Sequence, residues 1–273
     1  MQELILSHPY FPMAASALLG FLVATFFYLN GVHPLARKSL EKKFRERKNE
    51  FIALASHYLI TPITIIQTAV TRLQEKDATL TGEERAKLYD SILMGEQRLW
   101  MITEQLILVN EIDQNNLQVN IAVSNLSETV TSAIASLDVF ARNKKIKIHF
   151  LDQIKDIQEA RYDERRIKQA IVAIIDNAIK FSVEDSGIRV RLGLQSGIIT
   201  IEVEDQGSGM PPEILKHLAE KFYRGSSLYT FDHEGAGLGL FIAQAILRQH
   251  QGLINFESQA KRGTRVTIHF PTL

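Results

Sequence analysis

Asp176-Asn177-Ala178-Ile179-Lys180-Phe181 closes a helix-forming run, residues 164–181, that stands behind Asp163, a side chain suited to an N-cap. The run is followed by Asp205-Gln206-Gly207-Ser208-Gly209, which ends one of several short alternating stretches. Residues 145–150, 188–194, 198–205 and 266–270 alternate in this way and predict strands, and a second helix is predicted from Gly237 through residue 246. Strands interleaved with helices over residues 116–273 predict an α/β sandwich, one mixed sheet under a helical layer. Periodicity alone leaves the strand order open.

Four clusters in this part carry chemistry. Asn177 offers an amide oxygen to a hard cation, and Lys180 offers a point charge to a phosphate. Asp205 sits at a strand end, where Gly207 and Gly209 let the backbone pass closely by a ligand. Gly235-Ala236-Gly237-Leu238-Gly239-Leu240 feeds a helix whose open N–H groups and dipole favour phosphate. Arg262-Gly263-Thr264 places a hydroxyl before the last strand, within reach of a base edge or an ordered water. Each cluster by itself is weak evidence. The glycine run is not a dinucleotide fingerprint, since it follows no strand and lacks the third glycine and the later acidic residue. The irregular stretch between Gly209 and Gly235, with Pro211, Pro212, Gly225, Ser226 and Ser227, is expected to form a lid over the ligand.

Upstream, Ile52, Ala55, Leu59, Pro62, Ile66, Ala69 and Leu73 form one heptad seam, and Leu88, Ile92, Gly95, Leu99, Ile102, Leu106 and Val109 form another. Thr81 with Glu84 three residues on is a capping box for the second helix. Residues 49–115 therefore predict an antiparallel helical hairpin. A lone hairpin buries little, so a homodimer with a four-helix bundle is expected. His57 lies about 200° around the helix from Ala55 and Leu59 at ~100° per residue, which turns its imidazole to solvent. Pro62 removes an N–H and crowds the Tyr58 carbonyl, so the helix is expected to bend there.

No Asp, Glu, Lys or Arg lies between Glu3 and Arg37, and residues 10–29 are apolar over the length needed to cross a bilayer. A single transmembrane helix is expected over residues 10–32. A cleaved signal peptide is disfavoured because no Lys or Arg precedes the run. Arg37, Lys38, Lys42, Lys43, Arg45, Arg47 and Lys48 make residues 33–48 a basic linker held on the cytoplasmic side. Residues 1–9 would project outside, too few to enclose a ligand, so this chain is expected to have no extracytoplasmic sensor domain. The expected location is the cytoplasmic (inner) membrane, single-pass, with the catalytic part inside.

Ser56-His57-Tyr58-Leu59-Ile60-Thr61-Pro62 resembles the phospho-acceptor box of the histidine kinases of two-component systems. The four C-terminal clusters, in their order and spacing, resemble the N, G1, G2 and G3 boxes of that family's catalytic domain, which has the Bergerat or GHKL ATP-binding fold shared with gyrase, Hsp90 and MutL. The resemblance covers roughly residues 50–273. It implies a protein-histidine kinase that binds ATP and Mg²⁺, phosphorylates His57 and passes the phosphoryl group to an Asp of a response-regulator receiver domain. It also implies roles for single residues: Asn177 on Mg²⁺, Lys180 towards the phosphates, and Asp205 on the adenine amino group, with Gly207 and Gly209 shaping that end. Gly235, Gly237, Leu238 and Gly239 would surround the phosphates at the lid hinge, and Thr264 would support the adenine through water. Phe222-Tyr223-Arg224 resembles the F box, with Arg224 a candidate γ-phosphate contact, and Thr61 matches a polar residue tied to dephosphorylating the partner.

Three positions depart from the family pattern. Tyr58 and Ile60 stand where an acid and an arginine are usual, and a phenol with an ordinary pKa near 10 is a poor general base. Ala173 stands where an Asn or a catalytic Glu is usual, and alanine cannot activate water, which counts against ATP hydrolysis as the main reaction. A degenerate kinase acting as a dimeric ATP-binding scaffold is the principal rival. A serine kinase of the anti-sigma type is disfavoured by the histidine-bearing hairpin. Composition fits a cytosolic module: 31 basic and 31 acidic residues give no field to draw nucleic acid, and with no cysteine there is no disulfide or thiolate metal site.

Overall fold

The computed structural model describes residues 56, 58–75, 79–154, 159–221, 223 and 237–271, all within one unit, Leu54–Leu273. The expected membrane span and basic linker lie outside the described residues, as do His57, Phe222, Arg224 and Gly235. Among the described residues no helix is long and apolar enough to cross a membrane.

Helix α1 covers residues 58–75 and continues through Pro62, and α2 covers Gly82–Asp113. The start of α2 is set by Thr81, whose Oγ1 accepts from Glu84 N at 3.2 Å while Thr81 N donates to Glu84 Oε2 at 2.9 Å. This capping box satisfies two backbone donors that the helix itself leaves open. Pro62 and Ala69 of α1 and Gly95, Ile102 and Val109 of α2 are buried, so both seams turn inward. At Gly95 the helices approach so closely that a Cβ would stand 2.5 Å from Ile66 Cγ1 and 3.0 Å from Pro62 O. Tyr58 joins the same buried face.

Beyond the hairpin, β1 (Ala122–Asn125) pairs antiparallel with β3 (Glu159–Tyr162). Between them come α3 (Leu126–Ala135), α4 (Asp138–Asn143) and β2 (Lys147–Asp152). Helix α5 (Glu164–Phe181) follows, then β4 (Gly187–Gln195), β5 (Ile198–Glu204) and the short α6 (Pro212–Leu215). The described chain ends with α7 (Gly239–Gln249), β6 (Leu253–Gln259) and β7 (Gly263–Pro271). The main sheet runs β2-β4-β5-β7-β6, with β2 parallel to β4 and the other pairs antiparallel. This is the expected mixed sheet under helices.

Strand alternation divides the sheet into two faces. Ile188, Val190, Leu192, Ile199, Ile201, Val203, Ile268 and Phe270 point inward and are buried with Ile167, Ile171 and Ile175 of α5 and Ile242, Ile246 and Leu247 of α7. Each such side chain contributes about 2 kcal/mol when fully buried, and together they hold α5 against the sheet. The outward face carries charge instead. Glu204 pairs with Arg189 at 3.0 Å and with Arg191 and Arg265 at 3.1 Å each. Burial alone would raise the Glu204 pKa, but these three arginines outweigh it and hold the carboxyl below its usual value.

The predicted α5 and its Asp163 cap are present, with Asp163 Oδ1 accepting from Arg166 N at 2.9 Å. The predicted helix at Gly237 begins two residues later, at Gly239, because Gly237 has φ +66°, outside the helical region. Within the stretch expected to form a lid, α6 follows Pro211 at the N-cap.

Candidate functional site

The turn after β5 is fastened from both sides. Asp205 Oδ1 accepts from Gly207 N at 2.8 Å and from Thr264 N at 3.1 Å, which closes the turn and ties it to the start of β7. Its Oδ2 takes no hydrogen bond among the described residues. The side chain is buried, and burial pushes the carboxyl pKa up, against the pull of the two N–H donors. Ser208 N donates to Phe181 O at 3.3 Å, and Lys261 N donates to Ser208 O at 2.6 Å. Gly209, at φ +58°, passes so close to β6 that a Cβ would stand 1.9 Å from Gln259 O. The glycines of this turn are thus required first by its approach to other backbone, at Phe181 and Gln259. The sequence had suggested approach to a ligand. Thr264 Oγ1 lies 3.0 Å from Ser258 Oγ, which in turn donates to Gly263 O at 2.9 Å and accepts from Met210 N at 2.8 Å.

Helix α5 spans the gap between this turn and the glycine run. At its C-terminal end Phe181 receives the turn, and at Ala173 it meets the first residue of α7, where a Cβ on Gly239 would stand 3.4 Å from the Ala173 Cβ. Asn177 lies between those two contacts and is half-buried. The small residue at 173 is what permits α7 to come this near. Leu238 at the N-cap of α7 makes no side-chain cap, and the first turn holds no acidic residue, so the backbone donors there are left to a ligand or water. The far end of α5 is completed by Lys144, whose Nζ donates to Ile179 O at 2.9 Å and Lys180 O at 2.7 Å. A cation at a helix C-terminus opposes the dipole's negative end, although burial lowers the Lys144 pKa.

Lys180 does not point into an open corner. Its ammonium pairs with the carboxylate of Asp176 one turn back, and the other oxygen of Asp176 takes Arg98 Nη1 from α2 at 3.0 Å. Burial would raise the Asp176 pKa, but Lys180 and Arg98 together hold it below the usual carboxylate value. Sequence reasoning missed Arg98 and Asp176, and also Ser258. Arg98 sits beside the α2 seam with no local sign of a partner, because that partner is 78 positions away.

The structure thus brings Asn177, Asp205, Gly207, Gly209, Gly237, Leu238, Gly239 and Thr264 onto elements that abut around α5. Thr61 stands apart on α1, half-buried, and Tyr223 stacks beside His217 with ring centroids 5.4 Å apart. Among the described residues no three His, Asp or Glu side chains converge as a metal cage. A single amide ligand such as Asn177 suits a cation whose remaining ligands are phosphate oxygens and water, which is how Mg²⁺ is commonly held. A buried acceptor at Asp205 suits an amino group on a flat heterocycle.

Residues 162–273 match the family described as histidine kinase-, DNA gyrase B-, and HSP90-like ATPase. The signal transduction histidine-protein kinase ArlS of Staphylococcus haemolyticus is 29% identical over 235 residues, covering 85% of this chain and 50% of that protein. Sensor histidine kinase YkoH of Bacillus subtilis is 30% identical over 230 residues, covering 84% of this chain and 49% of that protein. The chain therefore spans about half the length of these relatives. The crystal structure of histidine kinase ThkA in complex with response regulator protein TrrA shares the fold, with a TM-score of 0.53 at 23% identity over 88% of this chain and 67% of that one. The family match, the two relatives and the α/β sandwich with its boxes around α5 agree: residues 162–273 belong to the histidine kinase-, DNA gyrase B-, and HSP90-like ATPases, with a GHKL-type ATP-binding fold, and the chain as a whole is similar to sensor histidine kinases.

Proposed function

We propose that this protein is an ATP-dependent histidine kinase that phosphorylates His57 and passes the phosphoryl group to an aspartate of a response regulator. The observation that carries the proposal is Asp205: a buried carboxylate with one oxygen closed by Gly207 and Thr264 and the other without a hydrogen bond among the described residues, on a turn bound to the helix that carries Asn177. Asp205 would accept from the adenine amino group, with Thr264 behind it. Asn177 would ligate Mg²⁺, and the open N–H groups near Gly237, Leu238 and Gly239 would receive phosphate oxygens. Mg²⁺, when bound, neutralises charge on the phosphates. An imidazole nitrogen of His57 attacks the γ-phosphorus in line, the N–P bond forms as the bond to the bridging oxygen breaks, and ADP leaves with that oxygen. The imidazole proton passes to water, since Tyr58 is buried and offers no carboxylate at that position.

The partner is inferred from ThkA, whose structure holds a response regulator. A homodimer is supported by a second apolar stripe, beside the buried seam. Tyr89, Leu93, Trp100 and Ile107 on α2 and Ile60, Ile63 and Val70 on α1 are exposed in the single chain and recur at helical spacing. Residues 10–32 are proposed to cross the cytoplasmic membrane once, leaving the hairpin and ATP-binding module inside.

The burial of Tyr58 also favours a second reading, a dimeric ATP-binding scaffold without chemistry. Labelling the full chain with γ-³²P-ATP separates the two. An acid-labile label lost in His57→Gln is expected; nucleotide binding without any label would leave the scaffold.

A further inference from the structure

Ser258 of β6 stands directly opposite Thr264 of β7 in the register of the two strands. Its Oγ lies 2.9 Å from Gly263 O, 2.8 Å from Met210 N and 3.0 Å from Thr264 Oγ1. A hydroxyl carries one proton and two lone pairs. A carbonyl oxygen can only accept, so the Ser258 proton goes to Gly263 O; a backbone N–H can only donate, so Met210 takes one lone pair. The remaining lone pair faces Thr264, and the hydrogen bond between the two hydroxyls therefore has Thr264 as its donor. With that proton committed, Thr264 Oγ1 has only lone pairs to offer anything else.

The backbone of Thr264 holds it at the Asp205 corner. Its N donates to Asp205 Oδ1 at 3.1 Å, and its O accepts from Asp205 N at 2.9 Å. Gly207 N and Thr264 N are both spent on Oδ1, so what the two side chains present to a ligand are acceptors, Asp205 Oδ2 and Thr264 Oγ1. We infer that Ser258 is a positioning residue for purine selectivity: by taking the Thr264 proton it keeps that hydroxyl an acceptor, so the corner selects a purine bearing a 6-amino group and disfavours one bearing a 6-oxo group. This rests on the proposal that the corner binds adenine. An amino group donates where the corner accepts, to Asp205 directly or to Thr264 through a water, whereas a 6-oxo group would set a third acceptor against the two. Without Ser258 the Thr264 proton is free to turn towards a 6-oxo group and donate to it.

Calorimetric titration of the full chain with ADP and with inosine diphosphate, each with Mg²⁺, tests it, since the two nucleotides differ only at the 6-position and the adjoining ring proton. The unsubstituted chain is expected to prefer ADP at least about thirtyfold. Ser258→Ala is expected to narrow that ratio about fivefold, whereas Ser258→Thr, which keeps the hydroxyl, should hold it within about twofold. In a Thr264→Val background Ser258→Ala should leave the ratio unchanged, the mark of a residue that acts through Thr264. A merely structural role for Ser258 would weaken both nucleotides alike. Equal changes for the two in folded Ser258→Ala, no change for either, or a narrowing that persists in the Thr264→Val background would overturn the inference and leave the nucleotide proposal standing. If Ser258→Ala fails to fold, Thr264→Val alone decides: a narrowed ratio supports the inference and an unchanged one overturns it. Failure of the unsubstituted chain to bind ADP would overturn both.

Discussion

Asp205 shows how far a single residue can be read before its surroundings are known. Its place at a strand end was visible, but its two N–H donors come from Gly207 and Thr264, and the second is contributed by a distant strand. Its pKa is raised by burial, so its ionised form opposes folding: that cost is absent below the unfolded pKa and is carried in full above the folded one. Asn at 205 keeps an oxygen for both donors and discards the charge. Asp205→Asn is therefore expected to leave the ligand-free protein as stable as before or about 1 kcal/mol more so in urea unfolding, while ATP affinity falls at least about tenfold. Tyr162 gives a second prediction at this scale. Fully buried, with its hydroxyl 2.7 Å from Thr129 Oγ1, it has its pKa pushed up to about 12 by burial. A raised folded pKa means stability that is whole below the unfolded value near 10 and is lost as pH rises towards 12. Comparing urea unfolding at pH 8 and pH 11.5, Tyr162→Phe should lose less stability than the parent, by about 2 kcal/mol. His250 was hidden in the sequence among other histidines. It is buried, accepting from Asp163 N at 3.1 Å on Nε2 and facing Ile246 O at 2.9 Å through Nδ1, and so joins α5 to α7.

Elements were legible where one signal sat on top of another. Helix α5 combined an N-cap with an apolar face, and both its ends match the expectation from sequence. Both seams of the hairpin were legible for the same reason, and Gly95 was already placed in one of them. What the period does not convey is distance. A Cβ at Gly95 would crowd Ile66 and the Pro62 carbonyl, whereas one at Gly82, at the start of the same helix, meets nothing within 4 Å. Gly95→Ala is thus expected to destabilise by about 1–2 kcal/mol despite alanine's better helix propensity, and Gly82→Ala to be neutral or slightly stabilising, as read by thermal unfolding. Strands β1 and β3 were illegible because each is only 4 residues long and pairs with the other alone. The start of α7 was misplaced because a glycine run marks a turn without saying which glycine holds the positive φ; Gly237 does.

At the scale of the whole molecule, the hairpin buries one stripe of each helix and leaves a second open, while charged pairs from Arg98 to Glu111 bind α2 to the ATP-binding module. Neither arrangement follows from local sequence, since both depend on which surfaces meet. If a second chain covers the open stripe, Leu93→Glu with Ile107→Glu should shift the protein from dimer to monomer in sedimentation. Trp100 is the chain's single tryptophan and stands in that stripe, so its emission should move to the red in the same variant. The central claim joins the two parts: a nucleotide held at Asp205 and Asn177 delivers its phosphoryl group to the hairpin. Peptide mapping at neutral pH after incubation of the full chain with ATP and Mg²⁺ tests that most directly. A single phosphoryl group on the peptide containing His57, absent when Asp205 is replaced by Asn, is the predicted result; a phosphoryl group on another residue, or undiminished labelling of the Asp205→Asn chain, would contradict it.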